Sequence, residues 1–356
     1  MRRDTMDEKI KLIRQDIDAV DNSIAGLLVD RAQLVIKMKS TKKGQKIYRP
    51  SREAEIIDRV VANNKSAFSD DTIRAIFTEI VSGGRNLEEK LRVAYLGPDG
   101  SYSHEASIKL LGSQSEFLPQ PQMSDAVKAV ERGLADVTVI PIENSTEGSV
   151  AETLTLLVNT NLHITGEIIL PIAHNLMSHA TNLSAIKQVV GHPQALGQCR
   201  AWLQANLAGV ELIPASSNSA AAKQVTSDKT MAAIAGSLAS AIWKLPILVQ
   251  NIQDSVHNET RFIALSHATT TETGNDKTTL VCTVHDSPGA LYKMLGIFEQ
   301  LEINLLALIS HPIENGDYAF YIDFEGHSDN TEVVKALKEL IKTIKSCQFI
   351  GSYRKG

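Results

Sequence analysis

Cysteine is scarce in this 356-residue chain, with Cys199, Cys282 and Cys347 odd in number and scattered. That excludes a disulfide framework and the paired-cysteine spacing of a zinc site, and it favours a reducing cytoplasm. No group of His, Cys, Asp and Glu has metal-ligand spacing, so neither metal nor cofactor is implied. Aromatic residues make up only 5% and interleave with no dense basic run, which argues against nucleic acid as a partner. The opening MRRDTMDEKIKLIR is too polar for a signal peptide. The most apolar run, MAAIAGSLASAIWKLPILV, is broken by Lys244 and Pro246. It reads as a buried helix over 231–242 leading into a strand, not as a membrane span.

What is present divides into segments of different period. The length suggests two or three domains, and 43% hydrophobic residues suffice for real cores. Residues 1–92 carry 19 basic and 15 acidic side chains, whereas the remainder carries 17 and 26. A mildly basic first third suits an anionic partner, although charged helix faces alone would give the same count.

Residues 7–90 read as all helix. Ile10, Ile13, Ile17, Val20, Ile24, Leu27, Leu34 and Met38 form a heptad seam along one long helix, broken at the position of Arg31. Two shorter helices follow, one opening at Pro50 with Ser51 as its expected cap, the other capped by Ser69 or Asp70. They are too short to cover the seam, which therefore predicts a partner helix from a second copy and hence a dimer. Arg31 and Lys42, 11 residues apart, face the same side, while Arg14 is about 100° out of register with Arg31. A buried cation needs a partner. Arg31 would find one in Asp30, Glu79 or a second chain, or else in a dianionic ligand bound in the bundle.

From residue 91 short β-rich runs alternate with helical stretches at 123–133, 149–158, 194–207 and 217–227, an α/β pattern expected to be mostly parallel and two-lobed with a cleft. Several strands lead through small polar loops into helix starts: Ser101, Tyr102 and Ser103, then Asn144, Ser145 and Thr146, then Ser217, Asn218 and Ser219. Free backbone N–H groups and hydroxyls at such places bind anions. A polar connector covers 267–277, and 278–356 reads βαββαβ, a ferredoxin-like unit.

IRQDIDAVDNSIAGLLVDRAQLVIKMKSTK with IYRPSREAEII resembles the all-helical chorismate mutase family over 1–90. The resemblance implies rearrangement of chorismate to prephenate with no nucleophile or cofactor. It implies that Arg14 from a second protomer and Arg31 bind the carboxylates, and that Lys42 sits at the ether oxygen. Arg52 and Glu53 match the motif, with Glu53 taking the substrate hydroxyl. Arg49, Gly84 and Glu88 occupy positions where relatives carry Asp, Ser and Gln. A Gln donates to the ether oxygen at any pH, whereas Glu88 must be protonated to do so, so mutase activity is expected to fall as pH rises.

GPDGSYS, PIENSTEG, GHPQALGQC, SSNSAAAK and NETRF together resemble the prephenate dehydratase family over 91–266. This implies loss of carbon dioxide and hydroxide from prephenate to give phenylpyruvate. Thr260 is implied as essential at the leaving hydroxyl, with Glu143 or His192 as proton source and Arg261 beside Glu143. Ser101, Ser103, Asn144, Ser145, Thr146, Gln198, Ser219 and Phe262 are implied to line the site. Residues 278–356 resemble the ACT family of regulatory modules. Gly289, Ala290 and Leu291 match its ligand loop, and Ser310, His311 and Pro312 its second motif, where Ile309 and His311 replace the usual Glu and Arg. Phenylalanine is the implied effector.

The fold expected is an all-α intertwined helical dimer domain, a two-lobed α/β domain with a cleft, and a βαββαβ ferredoxin-like ACT domain, in a homodimer or a tetramer built from dimers. The order of the three units resembles bifunctional chorismate mutase–prephenate dehydratases of phenylalanine biosynthesis. An arogenate-preferring dehydratase with weak mutase and a non-catalytic aromatic-metabolite sensor are the alternatives.

Overall fold

The computed structural model describes residues 2–41, 48–255, 257–285, 287–313 and 318–356. α1 (Arg2–Thr41) spans 40 residues, about 60 Å at 1.5 Å per residue. α2 (Pro50–Ala62) starts with Pro50 in its first turn, where a missing N–H costs nothing. Ser51 is therefore inside the helix, not its cap. Its Oγ instead accepts from the Thr271 N–H at 2.7 Å. α3 (Asp70–Glu88) is capped as expected, by Ser69 Oγ on the Thr72 N–H. α1 packs on α3 but leaves its apolar seam open: Ile17 is 53% and Leu27 69% exposed.

The first lobe contains β1 (Arg92–Leu96), α4 (Tyr102–Leu111), β2 (Glu116–Gln120), α5 (Met123–Glu131), β3 (Val137–Asn144), β4 (Gly148–Ser149), α6 (Ala151–Asn159) and β5 (His163–Pro171). The second contains β6 (Asn175–Met177), β7 (Gln188–Gly191), α7 (Pro193–Gln198), α8 (Arg200–Asn206), β8 (Glu211–Pro214), α9 (Asn218–Gln224), β9 (Met231–Ala235), α10 (Ser237–Trp243) and β10 (Ile247–Val249). The chain then returns as β11 (Glu259–Ser266) to lie between β3 and β5. The second lobe is thus an insertion between neighbouring strands of the first, and β11 begins where the chain crosses back.

Both sheets are mixed. β2-β1-β3 is parallel, but β11 runs antiparallel to β3 and to β5; β9-β7-β8 is parallel, but β6 and β10 are not. The expected helix over 231–242 is overturned: Met231–Ala235 is the central strand of the second sheet and only Ser237–Trp243 is helical. Its residues are almost wholly buried, so no alternation marked it as a strand, and a short apolar run does not distinguish the two states.

β12 (Asp276–Thr283), α11 (Ala290–Gln300), β13 (Leu305–Pro312), β14 (Tyr318–Glu325), α12 (Thr331–Thr343) and β15 (Ser346–Arg354) form the βαββαβ unit, with antiparallel strand order β13-β14-β12-β15. It docks directly on the first lobe. β15 crosses β5 so closely that a Cβ on Gly351 would strike the Ile164 carbonyl. Val281, Tyr321 and Ile350 enter one core with Leu154, Ile164 and Ile263. Burying Val281 and Ile350 stabilises this seam by roughly 1.5–3 kcal/mol each. Two of the cysteines scattered in sequence meet here, Cys282 and Cys347, opposite one another on β12 and β15 with sulfurs 3.6 Å apart.

Candidate active sites

Arg31 lies half-buried against α3, where Nη1 donates to the Ile80 carbonyl at 3.1 Å. Gly84 makes this possible, since a Cβ there would sit 2.7 Å from that nitrogen. Burial draws the guanidinium below its usual pKa. Glu79, one expected partner, is engaged elsewhere: it accepts from the Ser113 N–H and hydroxyl at 2.9 and 2.7 Å. Glu88, one turn beyond Gly84, is half-buried on the same helix face. Lys42 lies outside the described residues. Arg14 is exposed and 17 residues from Arg31, about 25 Å along the helix, so one chain cannot bring the two together.

α2 does not complete this site in the single chain. Consecutive helical residues point about 100° apart, so Arg52 faces solvent and pairs with Glu55 at 2.7 Å while Glu53 turns inward. The Glu53 carboxylate is held by Arg85 at 2.6 Å, and burial raises its pKa against that partner. Arg85 also donates to the Leu111 carbonyl and to Ser115 Oγ, so the pair fastens α2 and α3 to the first lobe. Arg49 and Arg52 line a separate cavity of about 670 Å³ against residues 269–273.

Between the two lobes lies a cleft of about 930 Å³, within the range of small-molecule sites. Thr260, at the start of β11, faces it, as do Asn144, Gln198, Phe262, His174 and Asn258. Their hydrogen bonds have a defined direction. Asn144 Oδ1 accepts from the Thr146 N–H, the Thr146 hydroxyl and the Glu147 N–H at 3.0, 2.6 and 3.1 Å. Its Nδ2 must therefore be the atom facing Thr260 Oγ1 and Asn258 Oδ1, both at 2.9 Å. Asn258 Nδ2 then donates to Gln198 Oε1 at 3.3 Å. That oxygen also faces His174 Nε2 at 2.7 Å, which makes His174 Nε2 a donor; the Tyr102 hydroxyl donates to the Ala173 carbonyl at 2.8 Å and also lies 2.9 Å from Nδ1. A neutral ring fits this arrangement, and burial does lower the His174 pKa, opposed by the Gln198 bond. Of this chain of groups, the Gln198 amide nitrogen and the Thr260 hydroxyl are left to donate into the cleft, Thr260 Oγ1 being one of three acceptors around Asn144 Nδ2.

Other expected residues hold the walls. Ser145 accepts from the Glu259 N–H and donates to the His257 carbonyl, both at 2.9 Å, pinning the entry to β11. Ser101 Oγ caps α4 on the His104 N–H. Ser103 is buried and lines the cleft in the same turn. Ser219 is a strap between the lobes: it donates to the Asp99 carbonyl and accepts from Trp243 Nε1 at 2.9 Å. Gly100, at φ +80°, keeps that junction tight, because a Cβ would lie 2.8 Å from Ser219 Oγ. His192 lines the cleft but caps α7, its Nδ1 accepting from the Gln194 N–H. Glu143 and Arg261 do not line it. They alternate with Asn144 and Thr260 on paired strands and so lie on the opposite face, 3.9 Å apart.

Sequence reasoning missed His174, Asn258 and Lys223. Lys223, over the Trp243 ring at 5.2 Å, is the one lysine or arginine among the described lining residues. Asn258 stands two residues before Thr260 and could have been found from that spacing; His174 sits at the lobe crossover, which only the topology reveals.

In the C-terminal unit Gly289, at φ +82°, caps α11, which begins with Ala290 and Leu291. Ser310, His311 and Pro312 end the edge strand β13. His311 Nε2 lies 3.0 Å from Thr155 Oγ1 on α6, so the residue replacing the family's Arg touches the first lobe.

Comparison with known proteins agrees along the chain. Residues 13–89 match chorismate mutase type II, 93–270 match prephenate dehydratase, and 278–342 match the ACT domain. A bifunctional chorismate mutase/prephenate dehydratase of Aquifex aeolicus is 36% identical over 98% of both chains. One of Neisseria gonorrhoeae is 37% identical, also over 98% of each. A prephenate dehydratase of Arthrobacter aurescens, solved in complex with L-Phe, superposes with a TM-score of 0.70 at 34% identity, covering 74% of this chain and 90% of that one.

Proposed function

The chain belongs to the bifunctional chorismate mutase/prephenate dehydratase family, and from that premise we propose which residues act in each half. It is an enzyme with two activities. The helical unit rearranges chorismate to prephenate, the α/β unit converts prephenate to phenylpyruvate, and the ACT unit is the seat of feedback by phenylalanine.

In the rearrangement an ether C–O bond breaks as a C–C bond forms, and nothing enters or leaves. The site has only to hold the folded conformer and stabilise negative charge on the ether oxygen. Arg31 binds one carboxylate through the donors it does not spend on Ile80, and Glu88 meets the ether oxygen from α3. Arg14 of a second copy supplies the other carboxylate contact. The open seam of α1 supports that assembly, since the same pairing that covers Ile17, Ile24 and Leu27 brings a distant Arg14 to a neighbour's Arg31.

In the cleft the ring carboxylate leaves as carbon dioxide, its bonding electrons enter the ring, and the ring C–O bond breaks as the hydroxyl takes a proton and departs as water. Thr260 donates to that hydroxyl. Gln198 and Lys223, with the helix-start loops at Ser101 and Ser217, take the carboxylates. The observation that supports this reading is the direction of the hydrogen-bond chain, in which Asn144 Nδ2 donates towards Thr260 Oγ1 and makes no claim on the Thr260 proton. A coupled assay tests it: wild-type protein should turn chorismate into phenylpyruvate, and Thr260→Ala should accumulate prephenate instead. Arogenate consumed faster than prephenate would favour the alternative substrate.

A further inference from the structure

Arg261 is one peptide bond from Thr260 but points to the other side of β11. There Nε donates to Glu167 on β5 at 2.7 Å, while Nη2 reaches Asp323 on β14 at 2.7 Å and the Tyr353 hydroxyl on β15 at 2.8 Å. Lys277 on β12 completes the group, 2.6 Å from Glu167 and 3.9 Å from Asp323. Thr279 fixes the far end by donating to Asp323 Oδ1 at 2.6 Å. Two cations and two carboxylates thus close on one another, the side chains of all four at most 11% exposed.

We propose that Arg261 is a positioning residue for the dehydratase reaction: by clamping β11 to the ACT sheet through Asp323, it makes the setting of Thr260 depend on where that sheet sits. The inference rests on Thr260 acting on prephenate. Adhesion alone does not call for such a cluster. Burying four charges is expensive, and well-packed apolar residues of the same volume hold surfaces together at least as well. The shared core around Val281, Tyr321 and Ile350 already does so. What the cluster adds is direction, because a forked guanidinium held at three points fixes the strand that carries it. The strand is also adjustable at this point. The pairing of β11 with β3 shifts register between Arg261 and Phe262, and such irregularities re-aim the neighbouring side chain. A displacement of the ACT sheet would therefore reach the strand end that carries Thr260 through Arg261, whereas the shared core meets β11 further along, at Ile263.

The test uses the full-length protein and three variants. Asp323→Asn keeps the shape and removes the charge that holds Arg261; Arg261→Lys keeps the charge and removes the fork. Tyr321→Phe is the control, because its hydroxyl also crosses the seam but ends on the Leu154 carbonyl of α6, away from β11. Asp323→Asn and Arg261→Lys should each lower dehydratase kcat at least fivefold with KM for prephenate within twofold. Each should shift the half-inhibitory phenylalanine concentration at least fivefold and leave mutase activity unchanged; Tyr321→Phe should do none of these. A folded Asp323→Asn protein with wild-type kcat and phenylalanine response overturns the proposal, as does an equal effect from Tyr321→Phe. Should Thr260→Ala retain dehydratase activity, the reading of the cleft fails instead, whatever Asp323→Asn does.

Discussion

Replacing Asn144 by Asp changes one atom at the centre of the cleft. The side-chain oxygen that accepts from Thr146 and Glu147 is retained. The nitrogen becomes a second oxygen facing three acceptors: Asn258 Oδ1 at 2.9 Å, the Glu259 carbonyl at 3.1 Å and Thr260 Oγ1 at 2.9 Å. An amide nitrogen has two hydrogens, so two of these bonds exist at a time. At about 0.5–1.5 kcal/mol each, their loss costs about 1–3 kcal/mol before repulsion among the oxygens is counted. The Thr260 hydroxyl then has a better acceptor behind it than in front and turns its proton away from the substrate. If the loss is felt in the transition state, kcat for prephenate falls roughly 5- to 150-fold, at about 1.4 kcal/mol per tenfold. Phenylpyruvate formation from prephenate, run beside chorismate consumption on the same preparation, measures it. A dehydratase kcat within about twofold of wild type would falsify the directional argument, and so would a parallel loss of mutase activity.

Glu88→Ala should lower mutase kcat at least tenfold and leave dehydratase kcat within about twofold; an unchanged mutase rate removes Glu88 from the ether oxygen. Charge placed in the seam, as in Ile17→Glu, should leave the helical unit unable to pair, reducing mutase far more than dehydratase activity, with light scattering reporting a smaller species. Burial lowers the pKa of both His104 and His174, in His104 against Asp99. The unfolded chain therefore takes up protons first, and the stability these rings contribute is present above about pH 6.5 and lost as pH falls below it. Thermal midpoints should drop through that range, and His174→Gln should lessen the drop. Glu167 acts lower on the same scale: burial pushes its pKa up, but Arg261 and Lys277 hold it below its usual value. Its contribution should vanish only below about pH 4, a step absent in Glu167→Gln.

Patterns set by local periodicity were legible in sequence. The seam of α1, the cap at Ser69 and the βαββαβ order all follow from spacings within a few residues. Met231–Ala235 was not, because a strand buried on both faces shows no alternation. β2 escaped notice because Pro119 interrupts it, a residue the edge of a sheet tolerates. In the cleft, Thr260, Asn144 and Gln198 could be named from their motifs. Which face Arg261 and Glu143 take depends on strand pairing, and Glu53 was claimed by Arg85 from a helix 32 residues away. Long-range partners of this kind decide whether a charged side chain is free for a ligand, and a linear pattern does not record them.

The polar stretch before β12 looked like a spacer, yet the Thr271 N–H is bound by Ser51 of α2, and Thr270 donates to the Ser352 carbonyl of β15. Arg354 of β15 meets Asp58 of α2 beside them. The connector works as a clasp in which the first and last units of the chain are fastened to each other. A protease directed at its threonines would have to undo bonds to both before it found a flexible strand. Cutting the gene there would not yield two independent modules, since each fragment would carry away half of a shared fastening.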